Sequence, residues 1–188
     1  LASLIRDLLS GMSLKSTDLD AVAVSSGPGS YTGLRIGAST AKGLCFALRI
    51  PLIAIPTLQL MAFQAIRMNP GESLLCPMID ARRMEVYCSI FDRQMNILQP
   101  AEAVIVDENT FAELLSGNSM LCFGSGSAKC RGVLSDNAIF LDGIFPLASF
   151  LGEMASMKLE RGETENVELF KPFYLKEFIA KKAQSQIR

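Results

Sequence analysis

AVAVSSGPGSYTGLRIGASTAKGLCFALRI, residues 21–50, is the segment around which the chain is organised. Ala21 to Val24 is a short apolar strand. Gly27-Pro28-Gly29-Ser30 is a glycine-rich turn, and the proline-free segment from Tyr31 to Ile50 reads mostly as one helix. A strand, a glycine turn and a helix, in that order, build many phosphate sites, because backbone N–H groups at a helix start favour anions. The same order also serves merely to pack a helix tightly onto a sheet. The turn holds both readings open: Gly27 and Gly29 supply unusual backbone angles, and Ser30 or Thr32 caps the helix.

The helix itself is more specific. At 100° per residue, Leu34, Ala38, Ala41, Leu44, Cys45 and Leu48 form one broad apolar face. Arg35, Lys42 and Arg49 form a narrow basic stripe. The remaining face carries Ile36, Ser39, Thr40, Gly43, Phe46 and Ala47, with no charge. A water-facing helix normally carries Lys, Glu or Gln on that side. The expectation is therefore a helix covered twice, by its own sheet and by a second helix brought close by the small residues. Residues 1–12, amphipathic through Leu1, Leu4, Ile5, Leu8, Leu9 and Met12, supply one such helix, and another chain supplies a second.

Outward from this stretch the chain splits into two patterns. Pro51 to Ile55 is a buried strand, and Thr57 is the expected N-cap of a helix from Leu58 to about Met68. Asn69-Pro70-Gly71 breaks the chain. Residues 1–70 thus read as an α/β lobe with parallel strands. Residues 71–188 begin a second lobe. Three strands, Leu74 to Ile79, Glu85 to Phe91 and Ile97 to Val106, suit an antiparallel meander. A helix near Asn109 to Leu115, a strand at Met120 to Phe123, a second glycine turn at 124–127 with a short helix behind it, a strand at Ala138 to Leu141 and a helix from Leu147 follow. The order resembles a complete lobe, of which the first half is a copy lacking its opening strands. The chain starts at Leu1, inside a helical pattern, so residues upstream are expected to be missing. The last helix and tail are expected to cross back to the first lobe.

The totals narrow the chemistry. The 188 residues suffice for a substantial core, and the net charge of −1 is not that of a basic nucleic-acid binder. The segment between Asp20 and Glu72 has no acid and carries Arg35, Lys42, Arg49 and Arg67, so it is locally cationic. Five cysteines in apolar runs, without a Cys-x-x-Cys, read as buried free thiols in a reducing cytosol. The absence of histidine excludes histidine triads and histidine metal clusters within these residues. No segment has the length of a membrane span.

No complete catalytic set emerges. The turn lacks the Gly-Lys-Ser/Thr of a P-loop, and no acid follows about 20 positions on to hold a dinucleotide ribose. Ser30 has no histidine or nearby lysine to act as base. Asp80-Ala81-Arg82-Arg83-Met84-Glu85 places acids at a strand end, where a carboxylate holds Mg²⁺ or activates water, or where an ion pair simply shapes the turn. The second reading is favoured. Lys171, Lys176, Lys181 and Lys182 read as a solvated basic tail or a contact to RNA phosphate.

Three stretches carry a family resemblance. Gly27, Pro28, Gly29, Ser30, Thr32, Gly33, Arg35 and Gly37, with Tyr31 as the aromatic, resemble the signature of the TsaB family. Ile79-Asp80-Ala81-Arg82 with Glu85-Val86-Tyr87, and the closing Pro172-Phe173-Tyr174-Leu175, are similar to it in order and spacing. The resemblance implies an α/β, actin-like (ribonuclease-H-like) fold of two lobes. It implies a bacterial cytoplasmic, non-catalytic subunit of the complex that places threonylcarbamoyl on tRNA. The implied partners are a catalytic homologue, TsaD, the ATPase TsaE, a second copy of the chain, and tRNA only within the complex. No cofactor is implied for this chain; ATP and metal would sit on the partners. The interface expected for TsaD or for self is Leu1, Leu4, Ile5, Leu8, Ile36, Ser39, Thr40, Gly43, Phe46 and Ala47. Asp80, Gly124 and Gly126 are the expected remnant of a nucleotide site. A stand-alone actin-like ATPase or kinase is the alternative, and a peptidase, for want of a nucleophile and base, is the weaker third.

Overall fold

The computed structural model describes residues 1–176. Two sheets organise them. In the first, β1 (Val22–Gly27) and β2 (Leu52–Pro56) pair in parallel, joined by α2 (Tyr31–Leu48). In the second, β3 (Leu74–Asp80), β4 (Glu85–Phe91), β5 (Ile97–Ile105), β6 (Met120–Phe123) and β7 (Ala138–Leu141) lie in the order β5-β4-β3-β6-β7. The meander β3-β4-β5 is antiparallel, and β6 and β7 are parallel to β3. The first lobe repeats the latter part of this order. Helix α1 (Ala2–Gly11) precedes β1 as α4 (Ala112–Leu115) precedes β6. Helix α3 (Thr57–Met68) follows β2 as α5 (Ala148–Glu160) follows β7. A glycine in the left-handed region stands at the end of β1, Gly27 at φ +109°, and directly after β6, Gly124 at φ +103°.

Alternation along the strands divides the core into layers. Val24, Leu52 and Ala54 face α2 through Ala38, Ala41 and Cys45. Ile53 and Ile55 point the other way, onto Leu60 of α3 and onto Met154 and Ala155 of α5. The opposite side of α3, Leu58, Met61, Ala62 and Ala65, packs on Leu75, Phe91, Leu121 and Phe123 of the five-stranded sheet. Helix α3 is thus shared between the sheets, and α5 returns from the second sheet to cover the first. The outer face of the large sheet buries Cys76, Cys88, Cys122 and Cys130 among aliphatic residues. All five cysteines are buried and unpaired. Among the described residues no helix is long and apolar enough to cross a membrane.

Four expectations change. Pro56, not Thr57, is the N-cap of α3; Thr57 is already helical, and its hydroxyl shares a 2.6 Å hydrogen bond with Ser25 across the sheet. The helix near 109–115 contracts to α4, because Asp107 and Thr110 close a turn through Thr110 Oγ1 and its backbone N–H groups. Helix α1 buries no residue and does not cover the second face of α2. The Asp80–Glu85 turn is not shaped by pairs with its own arginines: Asp80 pairs with Lys129 and Glu85 with Lys176, while Arg82 and Arg83 turn the chain at positive φ. Lys181 and Lys182 lie outside the described residues.

Candidate functional site

The glycine turn closes against Phe173. At Gly27 a Cβ would lie 2.5 Å from the carbonyl oxygen of Phe173, so only glycine admits that backbone. The Phe173 N–H donates to the Ser26 carbonyl at 2.7 Å. Ser30 then starts α2 as its N-cap, and its hydroxyl accepts the Gly33 N–H at 3.4 Å. The Arg35 guanidinium stands over the Tyr31 ring, 5.5 Å from its centroid.

The three stretches singled out in the sequence meet at one cleft between the lobes. Its volume is about 730 Å³, and Ser30, Thr32, Asp80, Arg82, Phe173 and Lys176 are on its walls. All three tyrosines of the chain, Tyr31, Tyr87 and Tyr174, line it too. Tyr31 and Tyr174 pack ring against ring, with centroids 4.9 Å apart and the planes tilted by 43°. On the second lobe, a hydrogen bond from the Lys129 ammonium holds the Asp80 carboxyl below the usual carboxylate range. Lys129 also donates to the Glu85 carbonyl at 2.6 Å. Gly124 and Gly126 do not line the cleft. They stand behind it, where a Cβ on Gly124 would strike the Met78 carbonyl and one on Gly126 would lie 3.0 Å from the Ile79 carbonyl carbon. Their role is close packing of β6 and its following turn onto β3.

The second feature is a pair of uncovered helix faces in the first lobe. Phe46 is 74% exposed and Ile36 51%, and Ser39, Gly43 and Ala47 are open beside them. Thr40 is half-buried at the edge. A Cβ on Gly43 would meet nothing within 4 Å. On α1, Leu4 and Leu8 are 68% and 64% exposed, Leu1 is exposed and Ile5 is half-buried. Leaving this much aliphatic surface in water is unfavourable by roughly 25 cal/mol per Å², and contiguous patches of this kind mark contact sites.

Comparison with known proteins places this geometry. The profile of the family described as TsaD, tRNA N6-adenosine threonylcarbamoyltransferase, matches residues 1–126. The Escherichia coli K12 protein named tRNA threonylcarbamoyladenosine biosynthesis protein TsaB is 33% identical over 185 residues, 94% of this chain and 79% of that one. The chain belongs to the TsaB family. The TsaB protein of Haemophilus influenzae is 30% identical, over 92% of this chain and 77% of its own. Two solved structures from Pseudomonas aeruginosa are also similar. One, described as an uncharacterized protein with similarity to peptidase YeaZ, superposes with a TM-score of 0.80 at 27% identity, covering 94% of this chain and 82% of that one. The other, YeaZ, has a TM-score of 0.76 at 26% identity, covering 93% and 83%. The fold is the actin-like α/β arrangement that the TsaB resemblance implies.

Sequence reasoning located the stretches but missed two of the contacts between them. Lys129 gave no signal, because its partner Asp80 is 49 residues away. Lys176 was grouped with a solvated tail and instead pairs with Glu85.

Proposed function

We infer that the chain is a non-catalytic docking subunit in the formation of threonylcarbamoyladenosine on tRNA. It supports a TsaD-type catalytic subunit through the first-lobe helices, and a second copy of the chain uses the same surface. The observation that carries this reading is the uncharged, small-residue face of α2 lying open to water. Gly43, Ser39 and Ala47 let a partner helix approach to about 8–10 Å between axes. Phe46, Ile36 and the leucines of α1 supply the apolar area. The kinship supports the pathway: the similar proteins are TsaB biosynthesis proteins, and the matching family is that of the transferase. ATP and metal chemistry belong to the TsaD- and TsaE-type subunits, and tRNA is met within the assembly.

The test is reconstitution. TsaD- and TsaE-type subunits are incubated with tRNA, threonine, bicarbonate, ATP and the enzyme that makes the activated donor. Modified adenosine is measured with and without this chain. Formation should depend on the chain, and the chain alone should form none; formation that is indifferent to its omission contradicts the reading. The cleft, with Asp80 on its wall, favours a second reading, a stand-alone nucleotide-dependent enzyme. Micromolar ATP binding with turnover by the isolated chain would establish that reading instead.

A further inference from the structure

We propose that residues 170–176 are a clasp that locks the two lobes in one orientation, with Lys176–Glu85 as its latch. The segment begins in the first lobe. Phe170 is buried with Val24, Ala38, Ala41 and Cys45, beneath α2. Lys42, halfway along α2, donates to the carbonyls of Glu168 and Phe170 at 3.0 and 3.1 Å, so the base of the clasp is tied to that helix. Phe173 then bonds to Ser26 at the glycine turn, in the space that Gly27 leaves by having no side chain. Tyr174 packs at a tilt against the ring of Tyr31 in the first turn of α2. Two residues later Lys176 reaches the second lobe and pairs with the carboxylate of Glu85, the first residue of β4. That carboxylate is mostly shielded, its side chain 18% exposed. The Glu85 carbonyl is held in turn by Lys129, which also pairs with Asp80.

The chain therefore carries its own bridge across the cleft, anchored by packing at one end and by charge at the other. Packing anchors resist local opening more than a partly exposed ion pair does, so the clasp opens from the Lys176 end. Opening frees Tyr174 from Tyr31 and unloads the first turn of α2, the helix whose far face is proposed to dock a partner. That consequence rests on the docking reading; the clasp itself does not.

Amide hydrogen exchange in the isolated full chain tests it. Glu85→Lys and Lys176→Glu are each expected to raise exchange at the Phe173 amide about five-fold. The double variant, which restores an ion pair with reversed sign, is expected to return it to within about two-fold of the parent. The Ile55 amide, in the shared core, serves as the control and stays unchanged. Unchanged Phe173 exchange in both single variants overturns the clasp. So does a double variant that exchanges faster than either single, or a rise at Ile55 equal to that at Phe173, which would signal general unfolding. The measurement involves no partner, so failure of TsaD-type docking leaves its outcome readable.

Discussion

At Gly27 the backbone sits at φ +109°, with the Phe173 carbonyl oxygen where a Cβ would stand. Gly27→Ala must either strain that backbone or push the clasp away. A stability loss of about 1–3 kcal/mol is expected, read as a lower urea midpoint with an unchanged slope. Gly33→Ala is the control, since its Cβ would make only ordinary contacts with the Ser30 side chain. Asp80 gives a test in pH. Its carboxyl is held below its ordinary value first by the Lys129 hydrogen bond. A depressed carboxyl pKa stabilises the fold above the unfolded value, about pH 4, and that contribution is lost as pH falls through the folded value. Lys129→Met should move the Asp80 titration up toward the ordinary range, as read by carboxyl-carbon NMR. It should also lessen the loss of stability on the acid side. The effect is small, because half of the Asp80 side chain is exposed.

At the scale of elements, α2 shows what a sequence can reveal. Its apolar face is set by the 3.6-residue repeat, and Ala38, Ala41 and Cys45 are buried as that repeat requires. Its uncharged face is equally legible, because the composition of a water-facing helix is a local property. What covers a face is not local. The periodicity of α1 marks an amphipathic helix but not its partner, and in the folded chain Leu4 and Leu8 remain in water. The strands of the meander were readable from alternation, and β6 and β7 from short apolar runs bounded by turns. The cap of α3 was misplaced because the Thr57 hydroxyl is claimed by Ser25, 32 residues earlier. The same limit hid Lys176–Glu85, a pair separated by 91 residues. The three stretches carry the family resemblance in the sequence; only the fold brings them to one cleft.

At the scale of the whole molecule, two sheets share α3, and the clasp adds a second tie at the cleft. This arrangement leaves apolar residues of α1 and α2 in water, and that surface is the one proposed to dock another chain. The account stands or falls on that surface. The most direct measurement is a titration of the TsaD-type subunit with the parent chain and with Gly43→Arg, by calorimetry or sedimentation. A Cβ at Gly43 meets nothing within 4 Å, so the variant should keep the parent's unfolding free energy within about 0.5 kcal/mol. The account predicts that the parent forms a stoichiometric heterodimer and that Gly43→Arg weakens it at least about 100-fold, the cost of forcing a guanidinium into a close helix contact. Equal affinity of parent and variant, or no heterodimer with the parent, would contradict it.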